Sequence, residues 1–519
     1  MLTRVSSLFL LVAIWAATTA AQSLPTLSGS RITCTHGKAG MHACHEIDML
    51  SRVSMDDLYA GQSAAEPLSR GLNDIWGWTD PDSRREYALV GRMDAVAFVD
   101  VTIPTEPVYL GYLPSHDGGH SWWRDMKVYK DHMFVVVDGG GVNGMQVFDL
   151  TRLRSFAGQP VRFEQTARYG EIEQAHNVAI NEETGFAYIV GTSRGGCPGL
   201  HMVDIRNPLE PKFAGCHSHS NTGRSGRGYT HDTQCVVYRG PDTDYYGREI
   251  CFSSNETALS IMDVTDKSAA FELAAEGHPN VAYAHQGWLT EDHRYFVMND
   301  EGDERQGLTD RTRMLIWDVT KLDEPVIDTE FLGQTHTPDH NLYARAGYIF
   351  ASNYTSGLRV FDLSNPSAPV EVAYFDTHPA TDDLSFNGTW SVYPFFASGT
   401  IIVNSHPDGL LVLDPTSLNL TRVSVAADHE LPTALTLSHA WPNPFNPSTT
   451  LAVSLPEAAN LSVAAYDLLG RRVSSLHNGT LDAGRHLIAF DATDLPGGTY
   501  IIQARAGQSM ASQRVTLIK

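Results

Sequence analysis

Four histidines recur at nearly constant intervals, each followed by a residue with a polar side chain: His176-Asn177, His231-Asp232, His285-Gln286 and His340-Asn341, in steps of 55, 54 and 55. A neutral imidazole offers one nitrogen lone pair and is a common ligand for zinc, iron, copper and nickel. A carboxylate or amide beside it can orient the ring or add an oxygen ligand. The candidate metal ligands are therefore His176, His231, His285 and His340, with Asp232 as an added oxygen ligand, and the candidate cofactor is a divalent ion: calcium, zinc or iron. The competing assignment gives the same residues a structural task, lining a wet tunnel and hydrogen bonding to backbone.

Other motifs carry less. Gly191-Thr192-Ser193-Arg194-Gly195 has the spacing of a nucleophile elbow, but an elbow needs a helix after the serine and the sequence runs into another strand. The acidic run Asn299-Asp300-Glu301-Gly302-Asp303-Glu304 has the oxygen chemistry of a calcium site without EF-hand spacing, and is expected to be a solvated loop. His116-Asp117-Gly118-Gly119-His120 is expected to be a flexible connection.

Constant spacing brings side chains together only if the chain repeats as a structure. One phrase does repeat, apolar residues followed by Asp, at Asp100, Asp149, Asp204, Asp263, Asp318, Asp362 and Asp414, in steps of 49, 55, 59, 55, 44 and 52. An apolar strand precedes each, as in Tyr87–Val90, Phe134–Val137, Tyr188–Val190 and Tyr348–Ala351, and Pro-containing turns follow several of them. Steps of this length belong to propeller blades, whose short strands bury both faces only when stacked radially. The expectation is an all-β chain, a seven-bladed β-propeller over residues 73–430, with six or eight blades if an end repeat is misread. Blade-initial strands line the axis, where the four histidines would converge; Asn73-Asp74, Arg124-Asp125 and Thr389-Trp390 hold the equivalent places. Each repeat Asp is expected to accept hydrogen bonds from the backbone of the following turn.

The pattern resembles the LVIVD-repeat proteins. From Cys34 to Asp376 it is similar to the secreted choice-of-anchor B family, on Asp74-Ile75-Trp76-Gly77-Trp78, Trp123-Arg124-Asp125, Ala175-His176-Asn177-Val178, Gly199 to Ile205 and Gly247 to Cys251. That resemblance implies a secreted core joined to different surface anchors and implies no reaction.

Beyond Leu431 the composition changes. Trp441-Pro442-Asn443-Pro444-Phe445-Asn446-Pro447 opens a run of alternating strands at Leu451–Leu455, Leu461–Tyr466, His486–Phe490, Thr499–Ala504 and Gln513–Ile518, which suggests a small β-sandwich. Residues 431–519 resemble the C-terminal sorting domain of type IX secretion cargo, with a FlgD-type immunoglobulin-like fold. The resemblance implies passage through the outer-membrane secretion machinery and display at the bacterial surface.

The other end fits export. Met1 to Ala21 carries Arg4, the apolar run Leu8 to Trp15 and then small residues, a signal peptide cut near Ala20 or Ala21, with a retained anchor as the alternative. No later segment is apolar for the roughly 18 residues a spanning helix needs, so no transmembrane helix is expected in the mature chain. All six cysteines lie beyond the signal, an even number suited to an oxidising compartment. Proximity pairs Cys34 with Cys44, Cys197 with Cys216 and Cys235 with Cys251. Residues 22–72 form a Cys-containing segment that either closes the propeller or caps its first repeat.

Charge excludes one class of partner. The chain has 60 acidic and 37 basic residues, a net of −23, and residues 22–430 alone carry −25, the opposite of what phosphate binding requires. Nucleic acid is not an expected partner; a glycan, a protein or a metal ion is. The preferred expectation is a secreted, surface-displayed binding or interaction protein. The rival is a secreted metalloenzyme with four histidines on the propeller axis.

Overall fold

The computed structural model describes residues 24–61, 70–420 and 434–519, apart from Ser193, Pro407, Thr416, His439, Trp441, Pro442 and Asp482. The expected signal at 1–21 and the boundary at 430/431 lie outside the described residues.

Among the described residues, seven sheets of four or more strands follow one another between Leu72 and Asp414, with a small two-stranded sheet of Ile172–Gln174 and Arg194–Gly195 beside them. In each, consecutive strands pair antiparallel; the first runs Leu72–Thr79, Glu86–Arg92, Ala95–Asp100, Val108–Pro114. The second and third strands are apolar on both faces and buried along their length, as in Glu86–Arg92 and Ala95–Asp100. A strand of that kind needs cover on both sides, and neighbouring sheets supply it. Seven apolar clusters lie between successive sheets; Leu89 and Phe98 of the first sheet meet Met126, Val135 and Phe148 of the second. The sheet-initial strands, Leu72–Thr79, Trp123–Tyr129, Asn177–Asn181, Asp232–Val237, Ala284–Leu289, Leu342–Arg345 and Gly388–Tyr393, each pack against the next, and the last packs against the first.

The repeated Asp ends the third strand of its sheet and holds the turn beyond. The carboxylates of Asp100, Asp149, Asp204, Asp263, Asp318 and Asp362 each accept the backbone N–H two residues on, at 2.7–3.1 Å. Asp414 instead accepts from the Arg31 guanidinium. Pro415 follows it, and position 416 lies outside the described residues.

Residues 24–61 do more than cap. Asp48–Val53 pairs with Gly409–Asp414 as the outer strand of the seventh sheet, and His42–His45 pairs with Val370–Phe375 at the edge of the sixth. The Ser51 hydroxyl donates to Pro104 O at 2.6 Å, reaching the first sheet. Disulfides join Cys34 to Cys44, Cys197 to Cys216 and Cys235 to Cys251. Cys235 and Cys251 sit opposite each other on paired strands, whereas Cys197 lies in the loop before Leu200–Asp204.

Near the C-terminus a sheet of Thr436–Leu437, Ser448–Leu455 and Gly484–Asp491 shares one core with a four-stranded sheet of Arg472–Leu481, Ala459–Asp467, Gly498–Ala506 and Ser509–Leu517. Strand Arg472–Leu481 has no counterpart among the strands expected from sequence. Its stretch Val473-Ser474-Ser475-Leu476-His477-Asn478-Gly479-Thr480 is mostly polar and nowhere fully buried, so it lacks the apolar alternation that marks a strand. Among the described residues, no helix is long and apolar enough to cross a membrane.

Candidate functional site

The first residue of each His-containing pair faces one cavity. His176, His231, His285 and His340 form a row, with ring centroids 4.4, 4.2 and 4.5 Å apart in sequence order. Together they line a cavity of about 610 Å³ whose wall also carries the aromatic side chains Trp122, Trp123, Tyr229, Tyr283, Tyr354, Phe386 and Trp390 and the polar Asp138, Glu301, Ser385 and Asn387. Gly191 makes room at one end of the row. Its φ is +62°, and a Cβ there would stand 2.3 Å from His176 Cβ. The Gly-x-Ser-x-Gly spacing thus serves backbone approach, and the chain continues into a short strand at Arg194–Gly195.

Three of the four imidazoles are held by their Nδ1 atoms, while His285 Nδ1 is buried without a hydrogen bond. His231 Nδ1–H donates to His285 O at 2.8 Å, and His340 Nδ1–H donates to Trp390 O. His176 Nδ1 lies 3.1 Å from Asp138 Oδ2. A ring whose Nδ1 carries the hydrogen presents Nε2 as a lone pair. Burial, reinforced by the neighbouring imidazoles, pushes His231 and His285 well below the usual histidine range, and burial brings His340 down to about 3. These three rings are therefore neutral at physiological pH.

The second residue of two of the pairs serves the fold, while Asn341 borders a small space beside the four histidines. The Asn177 amide donates to His231 O at 3.1 Å, and Gln286 bonds both the N–H and the C=O of Leu342 at 2.9 and 3.0 Å. At the corresponding place in the second sheet, Asp125 accepts Val178 N–H at 2.8 Å. Each ties a sheet-initial strand to the next, instead of orienting an imidazole. Asp232, expected as an oxygen ligand, does not join the histidines. It lines a separate small cavity with Trp76, Lys127 and Tyr343. Burial pushes its carboxyl up to about 7, against the pull of Lys127. Adjacent residues of a strand point opposite ways, which is why His231 and Asp232 diverge.

A carboxylate does reach the histidines, from the acidic run expected to be solvated. That expectation is corrected: Asn299, Asp300, Asp303 and Glu304 are buried. Asp300 accepts the N–H groups of Ala282 and Tyr283 at 2.7 and 2.6 Å, and Asp303 accepts from Arg313 Nε at 2.7 Å. So clamped, the loop aims Glu301 at the histidine row, with its Oε2 4.0 Å from His285 Nε2 and its Oε1 3.8 Å from His340 Nε2. The Tyr354 hydroxyl donates to Glu301 Oε1. Burial pushes the Glu301 carboxyl up, and Tyr354, His176 and Arg305 oppose it. In His116–His120 the first three residues are exposed, Asp117 accepts Val142 N–H at 2.9 Å, and a Cβ on Gly119 would lie 1.4 Å from Gly140 O.

Tyr354 and most of the aromatic wall are not among the residues that the sequence pattern singles out, and Glu301 stands out there only as one member of the acidic run. One signal for the wall is present: Tyr229 and Tyr283 each stand two positions before a histidine of the row and so share its interval.

His406 closes the wall, its Nε2 accepting Leu72 N–H at 2.8 Å between the last sheet and the first. Burial lowers it from 6.5 to about 4. The unfolded imidazole takes a proton near 6.5 and the folded one only near 4. Its contribution is thus complete above pH 6.5 and lost as pH falls through 4, on the order of 3 kcal/mol. His406→Gln keeps an acceptor for Leu72 without titrating. In urea unfolding at pH 8 and pH 4.5, the wild type is expected to lose roughly 2–3 kcal/mol more than the variant. Equal losses would refute this account of His406.

Residues 439–519 match the secretion system C-terminal sorting domain, and residues 342–377 match the LVIVD repeat. The chain is therefore a secreted or cell-surface protein that engages the type IX secretion machinery through its C-terminal domain. No curated protein matches it. Among the solved structures similar to this chain are three of low identity. A functionally unknown protein from Desulfotomaculum acetoxidans is 11% identical, over 64% of this chain and 95% of that one, with a TM-score of 0.43. PorZ, a surface component of the type IX secretion system of Porphyromonas gingivalis, is 14% identical over 91% and 63%, at 0.41. A protein from Lactobacillus plantarum is 12% identical over 82% and 100%, at 0.41.

Proposed function

We propose that this chain is a surface-displayed binding protein: a seven-bladed propeller, closed by Asp48–Val53, that takes a sugar-sized ligand into the aromatic cavity on its axis. The observation that carries this is the cavity itself. About 610 Å³ suits a small organic ligand, and seven aromatic residues face it beside histidines that can donate or accept. Trp123 and Phe386 stand at its wall with 46% and 41% of their surface exposed, a cost in water that stacking on the apolar face of a sugar ring would recover. The acidic propeller argues for a neutral or cationic ligand over an anionic one.

The test is tryptophan fluorescence and calorimetry of the full-length protein against a panel of neutral oligosaccharides. At least one is expected to bind, and Trp123→Ala with Phe386→Ala is expected to weaken it about tenfold or more, at about 0.5–1.5 kcal/mol per aromatic contact. Absence of binding across the panel, or binding indifferent to both substitutions, would overturn the proposal.

A further inference from the structure

The floor of the cavity holds more than a ligand platform needs. Ligand atoms of His285, Glu301 and His340 all lie within 4.8 Å of one another. One carboxylate faces two imidazoles at 4.0 and 3.8 Å, too far for hydrogen bonds. A tetrahedral ion with bonds of about 2.0–2.2 Å would hold such atoms roughly 3.3 Å apart, so the carboxylate would close on each imidazole by about 0.5–0.7 Å and the widest pair of the group by up to about 1.5 Å. His231 stands next in the row, its ring 4.2 Å from that of His285.

The supporting contacts point the same way. Metal-binding imidazoles are commonly oriented through the nitrogen that does not bind, and metal-binding carboxylates through a hydrogen-bond donor. Here His340 and His231 donate their Nδ1 hydrogens to backbone carbonyls, and Tyr354 donates to Glu301. A structural role for the row would spend the Nε2 atoms on hydrogen bonds as well. Those of His285 and His340 instead lie beside Glu301, beyond hydrogen-bond distance.

We propose that His285, His340 and Glu301, with His231 as a fourth ligand, bind one divalent first-row transition-metal ion of the zinc or iron class. Calcium does not suit the set, because a hard cation takes six to eight oxygens and this group offers one carboxylate. Thiolate chemistry is absent, since all six cysteines are in disulfides. Expansion to a fifth coordination position would open the ion to the aromatic cavity, giving a ligand hydroxyl or carbonyl a point of attachment. The site rests on the cavity being a binding site, and its own chemistry is separable from that reading.

The experiment titrates Co²⁺ alone into chelator-treated full-length protein and follows its ligand-field absorption. One equivalent is expected to bind. His285→Ala with His340→Ala should weaken it by at least about 100-fold, and Tyr354→Phe by about tenfold. Glu301→Gln, which keeps size and an acceptor for Tyr354, is expected to change the absorption spectrum with thermal unfolding unaltered. A wild type that binds no Co²⁺, or identical binding in wild type, the double variant and Glu301→Gln, would overturn the site. Trp123→Ala with Phe386→Ala is expected to leave Co²⁺ binding intact. Failure of saccharide binding with Co²⁺ binding retained would remove the glycan reading and keep this one, and the converse would do the reverse.

Discussion

Arg313→Met is expected to lower the unfolding free energy by about 3–5 kcal/mol, measured by urea denaturation at pH 7. The guanidinium is buried. Its Nε donates to Asp303 at 2.7 Å, and its terminal nitrogens donate to Pro279 O at 3.0 Å, Glu330 at 3.3 Å and Asn280 O at 3.4 Å. Around it stand Asp300, Asp303, Glu304 and Asp339, all buried. Burial and the neighbouring carboxylates push Glu304 up to about 12 and Asp339 well above the usual carboxylate range. Burial pushes Asp303 up as well, and Arg313, which bonds it directly, opposes that and favours its charged form. Methionine fills much of the volume and leaves that charge without a partner, a larger effect than the loss of packing. Adding Asp303→Asn to Arg313→Met should therefore recover part of the loss, because the orphaned charge is gone. A loss under about 1 kcal/mol would mean Asp303 is neutral as well. The same substitution should reach the site, since the loop that Asp300 and Asp303 hold in place is the one that carries Glu301.

That dependence shows why the site is only half legible in the sequence. A residue that recurs in four successive repeats declares itself, and so the histidine row can be named from spacing alone. The repeat Asp residues, their turn-capping bonds and the cysteine pairs are legible for the same reason, being local or periodic. Glu301 is not, because it occurs in one sheet, and its character depends on burial that no local pattern encodes. The run Asp300-Glu301-Gly302-Asp303-Glu304 reads as a solvated loop until Arg313 and the backbone of Ala282 and Tyr283 are brought against it. Asp232 fails in the opposite sense. Its neighbour in sequence is in the row, and the alternation of a strand turns it away. The outer strand Asp48–Val53 is hidden for a third reason: it pairs with Gly409–Asp414, at the other end of the propeller, and so distant a pairing has no local signature.

Deleting residues 431–519 is expected to abolish surface display while leaving the propeller folded. The two halves of that result rest on different observations. Loss of display follows from the match of residues 439–519 to a secretion system sorting domain. Retention of the fold follows from the cores. The sandwich is built on one cluster drawn from residues 435–517, and among the described residues no propeller cluster includes any position beyond Leu420. The charge changes as abruptly, from −25 over residues 22–430 to +1 over 431–519, as expected of two units with separate tasks. Protease accessibility on intact cells reports display, and Co²⁺ titration or thermal unfolding of the truncated chain reports the propeller. The truncated chain is expected inside the outer membrane, protected from external protease and unfolding at the temperature of the propeller in the full-length protein. A periplasmic reporter fused to residues 431–519 should gain the exposure that the truncated chain loses. Surface display that survives the deletion would refute the sorting role of these residues, and a truncated chain that unfolds early would show that the two cores are coupled after all.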